Sequence, residues 1–258
     1  MTDVLDAPPP PGTGTDGSAL LLLAHGSIDP QAQEATRALA HAVGLSWAGR
    51  IEVAYLRHAR PTARQALHAL AETGHGPVVV VPLLLTSAFH ARVDLPKALT
   101  GPPAQPPVVT PVLGGSPDGP DERLVAALRR RLTELHVGFD AVVVAAAGSS
   151  DSDACRSVSA MASAVGAGLG LPCLAGFAST ASPTPAEAVQ RLRKAGARRV
   201  AVASYCFAPG RLFRQAVQSS TAAGAVGISE PLGDAPELVR LILDRFRQAC
   251  SSGPTEEH

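Results

Sequence analysis

Three histidines stand where α/β folds place chemistry. His25 ends the apolar run 19–24 and precedes Gly26 and Ser27. His58 follows the run 51–56, with Arg57 and Arg60 beside it. His90 lies beyond the run 78–85, and Arg92 and Asp94 come next. In open α/β sheets, ligands bind beyond the carboxyl ends of the strands. A neutral imidazole, with an ordinary pKa of about 6.5, accepts a proton or ligates a borderline metal at neutral pH. Imidazoles converging from separate strands therefore point to a divalent metal or to proton transfer. Read on position alone, His58 is better taken as an exposed loop histidine, His90 is equally a surface loop residue, and for His25 a hydrogen-bonded structural role is the lesser reading. Gly26-Ser27 before a helix start would also suit an anion. His41, His68 and His75 read as solvated or capping. No GxGxxG follows a strand, and no GxxxxGK[ST], HExxH or GxSxG motif occurs, so no phosphate cradle for ATP is visible.

These residues need strands to carry them. Apolar runs predict strands over 19–24, 51–56, 78–85, 108–112, 141–146, 173–178, 200–206 and 226–230. Amphipathic stretches predict helices over 30–44, 62–73, 120–135, 152–168, 184–195 and 235–249. The runs do not alternate in polarity, as expected of strands buried on both faces. Strands alternating with helices predict βαβ units and a mainly parallel sheet. Asp29-Pro30 reads as an N-cap followed by a first-turn proline. Gly74 and Gly196 stand where helices end.

The pattern occurs twice. Gly26, Ser27 and Asp29 match Gly148, Ser149 and Asp151 at an offset of 122. The same offset relates Tyr55 to Phe177, Pro61-Thr62 to Pro183-Thr184, and Gly74 to Gly196. Two similar α/β domains, 19–137 and 138–250, are predicted, with tails at 1–18 and 251–258. The histidines are not duplicated. Ala147 is the counterpart of His25, Thr180 of His58, and Leu212 or Arg211 of His90. One site is expected, equipped by the first domain, with walls and charges such as Arg211 and Arg214 from the second.

Composition excludes several classes. Of the 258 residues, 46% are hydrophobic, enough for a sizeable core. Twenty-two basic side chains balance 22 acidic ones, and only 3% are aromatic. That balance argues against nucleic acid as a partner. No apolar run approaches the roughly 20 residues of a membrane span. Residues 1–18 lack the basic start and apolar stretch of a secretory leader. Four cysteines without CxxC spacing suit reduced thiols in a cytoplasm.

The segment Leu-Leu-Leu-Ala-His25-Gly-Ser, with Ala54-Tyr55-Leu56 and Pro61 after it, resembles the sirohydrochlorin chelatases of the CbiX/SirB type. So does the strand leading to His90, with Asp94-Leu95-Pro96 behind it. The resemblance covers nearly the whole folded chain, duplication included, as in the long two-domain forms. It implies ATP-independent insertion of Fe²⁺ or Co²⁺ into sirohydrochlorin for siroheme or cobalamin, in a cleft between the domains. The family's two histidines map onto His25 and His90, as catalytic and metal-binding groups. The metal is then a substrate, and no permanently bound cofactor is implied. Arg57 stands where many members carry an acidic residue, which leaves His58 as a candidate ligand there. The tetrapyrrole's carboxylates suit Arg57, Arg60, Arg92, Arg211 and Arg214, since guanidinium pairs carboxylate bidentately. A single chain with two domains would form a complete cleft as a monomer, and a dimer is not excluded. A non-catalytic metal- or tetrapyrrole-binding protein is the alternative. An unrelated enzyme using Gly26-Ser27 on a small anion is a third.

Overall fold

The computed structural model describes residues 17–74, 76–87, 94–100, 106–114 and 119–251. Most of both predicted tails and the loop carrying His90 and Arg92 lie outside the described residues.

Two four-stranded parallel sheets form the molecule. The first has strands β1 (Ala19–Ala24), β2 (Arg50–Tyr55), β3 (Val78–Leu83) and β4 (Val108–Val109), in the order β2-β1-β3-β4. The second repeats this with β5 (Ala141–Ala146), β6 (Cys173–Phe177), β7 (Val200–Ser204) and β8 (Gly227–Ile228), in the order β6-β5-β7-β8. Every pairing is parallel. The central strands β1 and β5 are buried along their whole length. That is why their sequences are continuous apolar runs, and each buried leucine contributes about 1.5–3 kcal/mol.

Helices follow the strands: α1 (Pro30–Ser46), α2 (Ala63–Glu72), α3 (Leu95–Leu99), α4 (Glu122–Thr133), α5 (Ser152–Leu169), α6 (Pro185–Lys194), α7 (Arg211–Ala222) and α8 (Pro236–Ser251). Their starts are chemically equivalent in the two halves. Asp29 and Asp151 cap α1 and α5 by accepting from Gln31 N and Asp153 N. Thr62-Gln65 and Thr184-Glu187 are capping boxes opening α2 and α6. Gly74 and Gly196 have φ of 70° and 107°, the left-handed turn past a helix end.

Two elements were not foreseen. α7 is a helix where none was predicted: its apolar face is as pronounced as that of α8, but it opens at Gly210 without a side-chain cap to signal its start. α3 is too short to show a period at all. The edge strands β4 and β8, two residues each, are shorter than their apolar runs.

The last helix of each half crosses over. α4 packs on α5 and β7 of the second sheet, and α8 packs on α1 and β3 of the first. The two crossed helices also meet each other. Arg130 Nε donates to Glu237 at 3.1 Å, Arg123 pairs with Asp244, and Arg131 Nη2 donates to the Leu232 carbonyl at 2.9 Å. Trp47 beyond α1 stacks obliquely on Phe246 of α8, with centroids 4.6 Å apart. One hydrophobic cluster therefore runs through both halves, from Leu20 and Leu39 to Leu238 and Ile242. Among the described residues, no helix is long and apolar enough to cross a membrane.

Candidate functional site

The carboxyl ends of both sheets face a cleft between the halves. Two adjoining cavities open there, of about 230 Å³ and about 270 Å³. His25, Leu83, Cys206 and Phe207 line both, so the cavities are two lobes of one space. Either lobe alone is smaller than the roughly 300–1,000 Å³ of ordinary ligand sites, and together they reach that range. The larger lobe faces the start of α1, with Gly26, Ser27 and Tyr55, and is closed by Gly210, Arg211 and Phe213. The smaller faces the equivalent start of α5, with Gly148, Ser149 and Phe177, and is closed by Leu84, Leu85 and Thr86.

His25 sits at the junction of the lobes, directly after β1. Its Nδ1 lies 3.0 Å from the Gly26 carbonyl. A carbonyl only accepts, so this contact places a proton on Nδ1, and in the neutral ring Nε2 is then the acceptor. Gly26 permits the bend. Its φ is 90°, and a Cβ there would lie 1.8 Å from the Arg57 carbonyl oxygen. The β2 end thus presses against the β1 end, and His58 arrives beside His25. Their ring centroids are 6.4 Å apart with planes at 46°. His58 has φ of 61°, a left-handed conformation uncommon for a side chain of its size.

The arginines divide. Arg57 Nη2 pairs with Asp94 Oδ1 at 2.9 Å, binding the β2 end to the segment that precedes α3. Arg214 of α7 pairs with Asp29 at 2.6 Å, across the cleft from one half to the other. This contact, by the side-chain hydrogen bond above all, holds the Asp29 carboxyl below the usual range. Arg211 lines the larger lobe and is exposed; Arg60 is exposed in the turn after His58. His90 and Arg92 lie outside the described residues. Among the described residues, no three of His, Cys, Asp and Glu gather as a metal cage, so His25 and His58 stand as a pair.

Asp29 also bears on the small-anion reading. Ser27 Oγ accepts from Asp29 N, and the Asp29 carboxylate itself accepts from the helix backbone at Gln31. The α1 N-terminus is filled by a carboxylate of the chain, which repels a second anion there.

Other cleft residues were missed in the sequence. Tyr205 donates its hydroxyl to the Leu85 carbonyl at 3.3 Å, joining the β7 end to the β3 end. Burial raises its pKa above the ordinary value. Gly114 lies against this contact, where a Cβ would come within 2.6 Å of the Tyr205 oxygen. Cys206 reaches the cleft surface in part, but its apolar surroundings push the thiol up to about 12, so it is neutral at physiological pH. For Tyr205 and Cys206 the signal was present: the 122-residue offset carries Leu83–Leu85 onto Tyr205–Phe207.

The CbiX family model matches residues 19–135 and again 141–249. A sirohydrochlorin ferrochelatase of Bacillus subtilis is 27% identical over 245 residues, 91% of this chain and 92% of that one. A sirohydrochlorin cobaltochelatase of Priestia megaterium is 27% identical over 206 residues, 76% of this chain and 66% of that one. Among solved structures, SirB from Bacillus subtilis with Fe³⁺ superposes with a TM-score of 0.76 at 24% identity, over 92% of this chain and 98% of that one.

Proposed function

The chain belongs to the CbiX family, and from that premise we propose that it inserts a divalent metal, Fe²⁺ or Co²⁺, into sirohydrochlorin without ATP. The relatives named ferrochelatase and cobaltochelatase support the reaction class. The observation that carries it is the position of His25, which stands directly after β1 at the junction of two lobes of one cleft.

Metallation removes two pyrrole N–H protons while the hydrated metal sheds water. An imidazole nitrogen can take such a proton or hold the metal in transit. His25 serves as that group, and His58, with its ring beside it, as a second ligand or relay. His90 is assigned a share in the same role by the family resemblance. A partial ligand set suits the reaction, because a metal held by a full cage would not be released into the macrocycle. The carboxylated rim of the tetrapyrrole meets Arg211 at the mouth of the larger lobe, with Arg60 and Arg92 nearby in sequence to the histidines they follow. Arg57 and Arg214 are already ion-paired, so their part is to hold Asp94 and Asp29 or to exchange partners when substrate arrives. Imidazole accepts iron and cobalt alike, so the ligand type does not select the metal. Four cysteines, none in a disulfide, suit a reducing compartment, the cytoplasm.

The test is anaerobic metal insertion into sirohydrochlorin followed by absorbance, with Fe²⁺ and Co²⁺ supplied separately. Wild type should exceed the no-enzyme rate, and His25→Ala should fall by about 10²–10⁴-fold. Tetrapyrrole binding without any acceleration would instead make this a carrier of the same fold.

A further inference from the structure

Aromatic residues are scarce in this chain, nine in all, yet five of them line the cleft. Three of the five, Tyr55, Phe177 and Tyr205, are buried in the core beneath it. Phe207 and Phe213 are half-buried, with surface left toward the cleft. Only Phe207 of these five borders both lobes, as His25 does. Its backbone is fixed: the Phe207 carbonyl accepts from Gly233 N at 2.9 Å, and the neighbouring Cys206 carbonyl accepts from Leu232 N at 2.9 Å. The first half holds Leu84 in the same way, accepting from Leu113 N at 3.0 Å. At the position equivalent to Phe207, however, the first half has Leu85.

The second half thus lacks the imidazole but supplies a flat aromatic face where its twin has an aliphatic one. The surrounding wall is apolar: Leu83, Leu84, Val158 and the neutral Cys206 thiol. A flat conjugated disc is the ligand shape that gains from such a face, because aromatic rings stack offset or edge-on beyond the area they bury. Resting on the chelatase reading, we infer that Phe207 is the stacking platform that positions the tetrapyrrole macrocycle with its nitrogens toward His25. The macrocycle spans both lobes, since the platform and the imidazole both stand at their junction.

The experiment compares wild type, Phe207→Leu and Phe207→Tyr in the full chain. Leucine is the residue of the equivalent position, so it preserves most of the apolar area and removes only the flat face. Equilibrium binding of metal-free sirohydrochlorin is read by its absorbance shift under anaerobic conditions, and KM and kcat are read with Co²⁺. Phe207→Leu should weaken binding by about 2- to 12-fold, the share of aromatic stacking beyond area. KM should rise by a similar factor with kcat nearly unchanged, because the stack is present before and during the reaction. Phe207→Tyr should behave as wild type. Thermal unfolding of each variant separates this from a packing role, which would move the melting temperature and leave KM alone. Equal binding by wild type and Phe207→Leu overturns the platform while leaving the chelatase reading standing. Wild type that binds but does not metallate overturns the chelatase reading, and weaker binding by Phe207→Leu would still uphold the platform. Wild type that does not bind the tetrapyrrole overturns both.

Discussion

The two halves share one backbone and differ in what they hang from it. Gly26 and Gly148 bend with φ of 90° and 88°, and a Cβ on either would strike the carbonyl of Arg57 or Ser179. His58 and Thr180 both adopt the left-handed conformation, at 61° and 64°. Ser27 and Ser149 accept from Asp29 N and Asp151 N at the same 3.0 Å. Even the next contact is kept by a different atom. Gln33 donates to the Ser27 carbonyl, and its counterpart Cys155 donates its thiol to the Ser149 carbonyl. Yet the first half presents His25 and His58, and the second Ala147, Thr180 and an aromatic wall. A duplicated scaffold keeps the groups that make its bends and varies the side chains set on them.

The largest expected effect follows from that division. His25→Ala should abolish most metal insertion, while Ala147→Ser, at the equivalent bend, should change the rate less than twofold. Adding Ala147→His to His25→Ala should not restore activity, because no second imidazole occupies position 180. Restored insertion, measured anaerobically by absorbance, would show that one imidazole on either sheet is sufficient and would break the asymmetry.

Stability should sharpen the symmetry instead. Gly26→Ala and Gly148→Ala each force a side chain into a left-handed bend against a backbone oxygen, with Cβ contacts of 1.8 and 1.9 Å. Each should cost on the order of 3 kcal/mol in urea unfolding, and the two costs should agree within about 1 kcal/mol. Gly26→Ala should also lower activity, since the bend carries His25. A marked inequality in stability would mean that one half had relaxed its bend.

Much of this was legible in the sequence because its causes are local. A fully buried parallel strand must be an unbroken apolar run, so β1 and β5 were placed to the residue. A cap is a short-range hydrogen bond, so Asp29 marked the start of α1. The crossing of α4 and α8 was not legible. Both helices are amphipathic, and an apolar stripe does not record which sheet it will cover. For the same reason a division into two halves conveys the repeat but not the shared core running through both. His25 and His58 were found from their places at strand ends. The partners of the arginines were hidden, since Arg214 meets Asp29 only after the chain has folded around the cleft.

That ion pair gives the smallest effect and the most direct reading of how the halves meet. Arg214 lowers the Asp29 pKa first through its side-chain hydrogen bond, then with help from Gln31 N and from its charge. A carboxyl whose folded pKa is depressed adds stability at pH values above its unfolded pKa of about 3.9. That stability is lost as pH falls through the folded value. Arg214→Gln removes the leading cause and leaves the cap to Gln31 in place. The stability gap between wild type and variant should therefore be constant above about pH 5 and shrink as acid protonates Asp29 in both. Exposure of Arg214 keeps the gap small, and added salt should narrow it further. Sirohydrochlorin gives the decisive contrast. If substrate carboxylates draw Arg214 away from Asp29, saturating tetrapyrrole should raise the Asp29 pKa in wild type, read by carboxyl NMR, and leave it unmoved in Arg214→Gln. An Asp29 pKa that stays depressed in the complex would make the pair a fixed tie across the cleft.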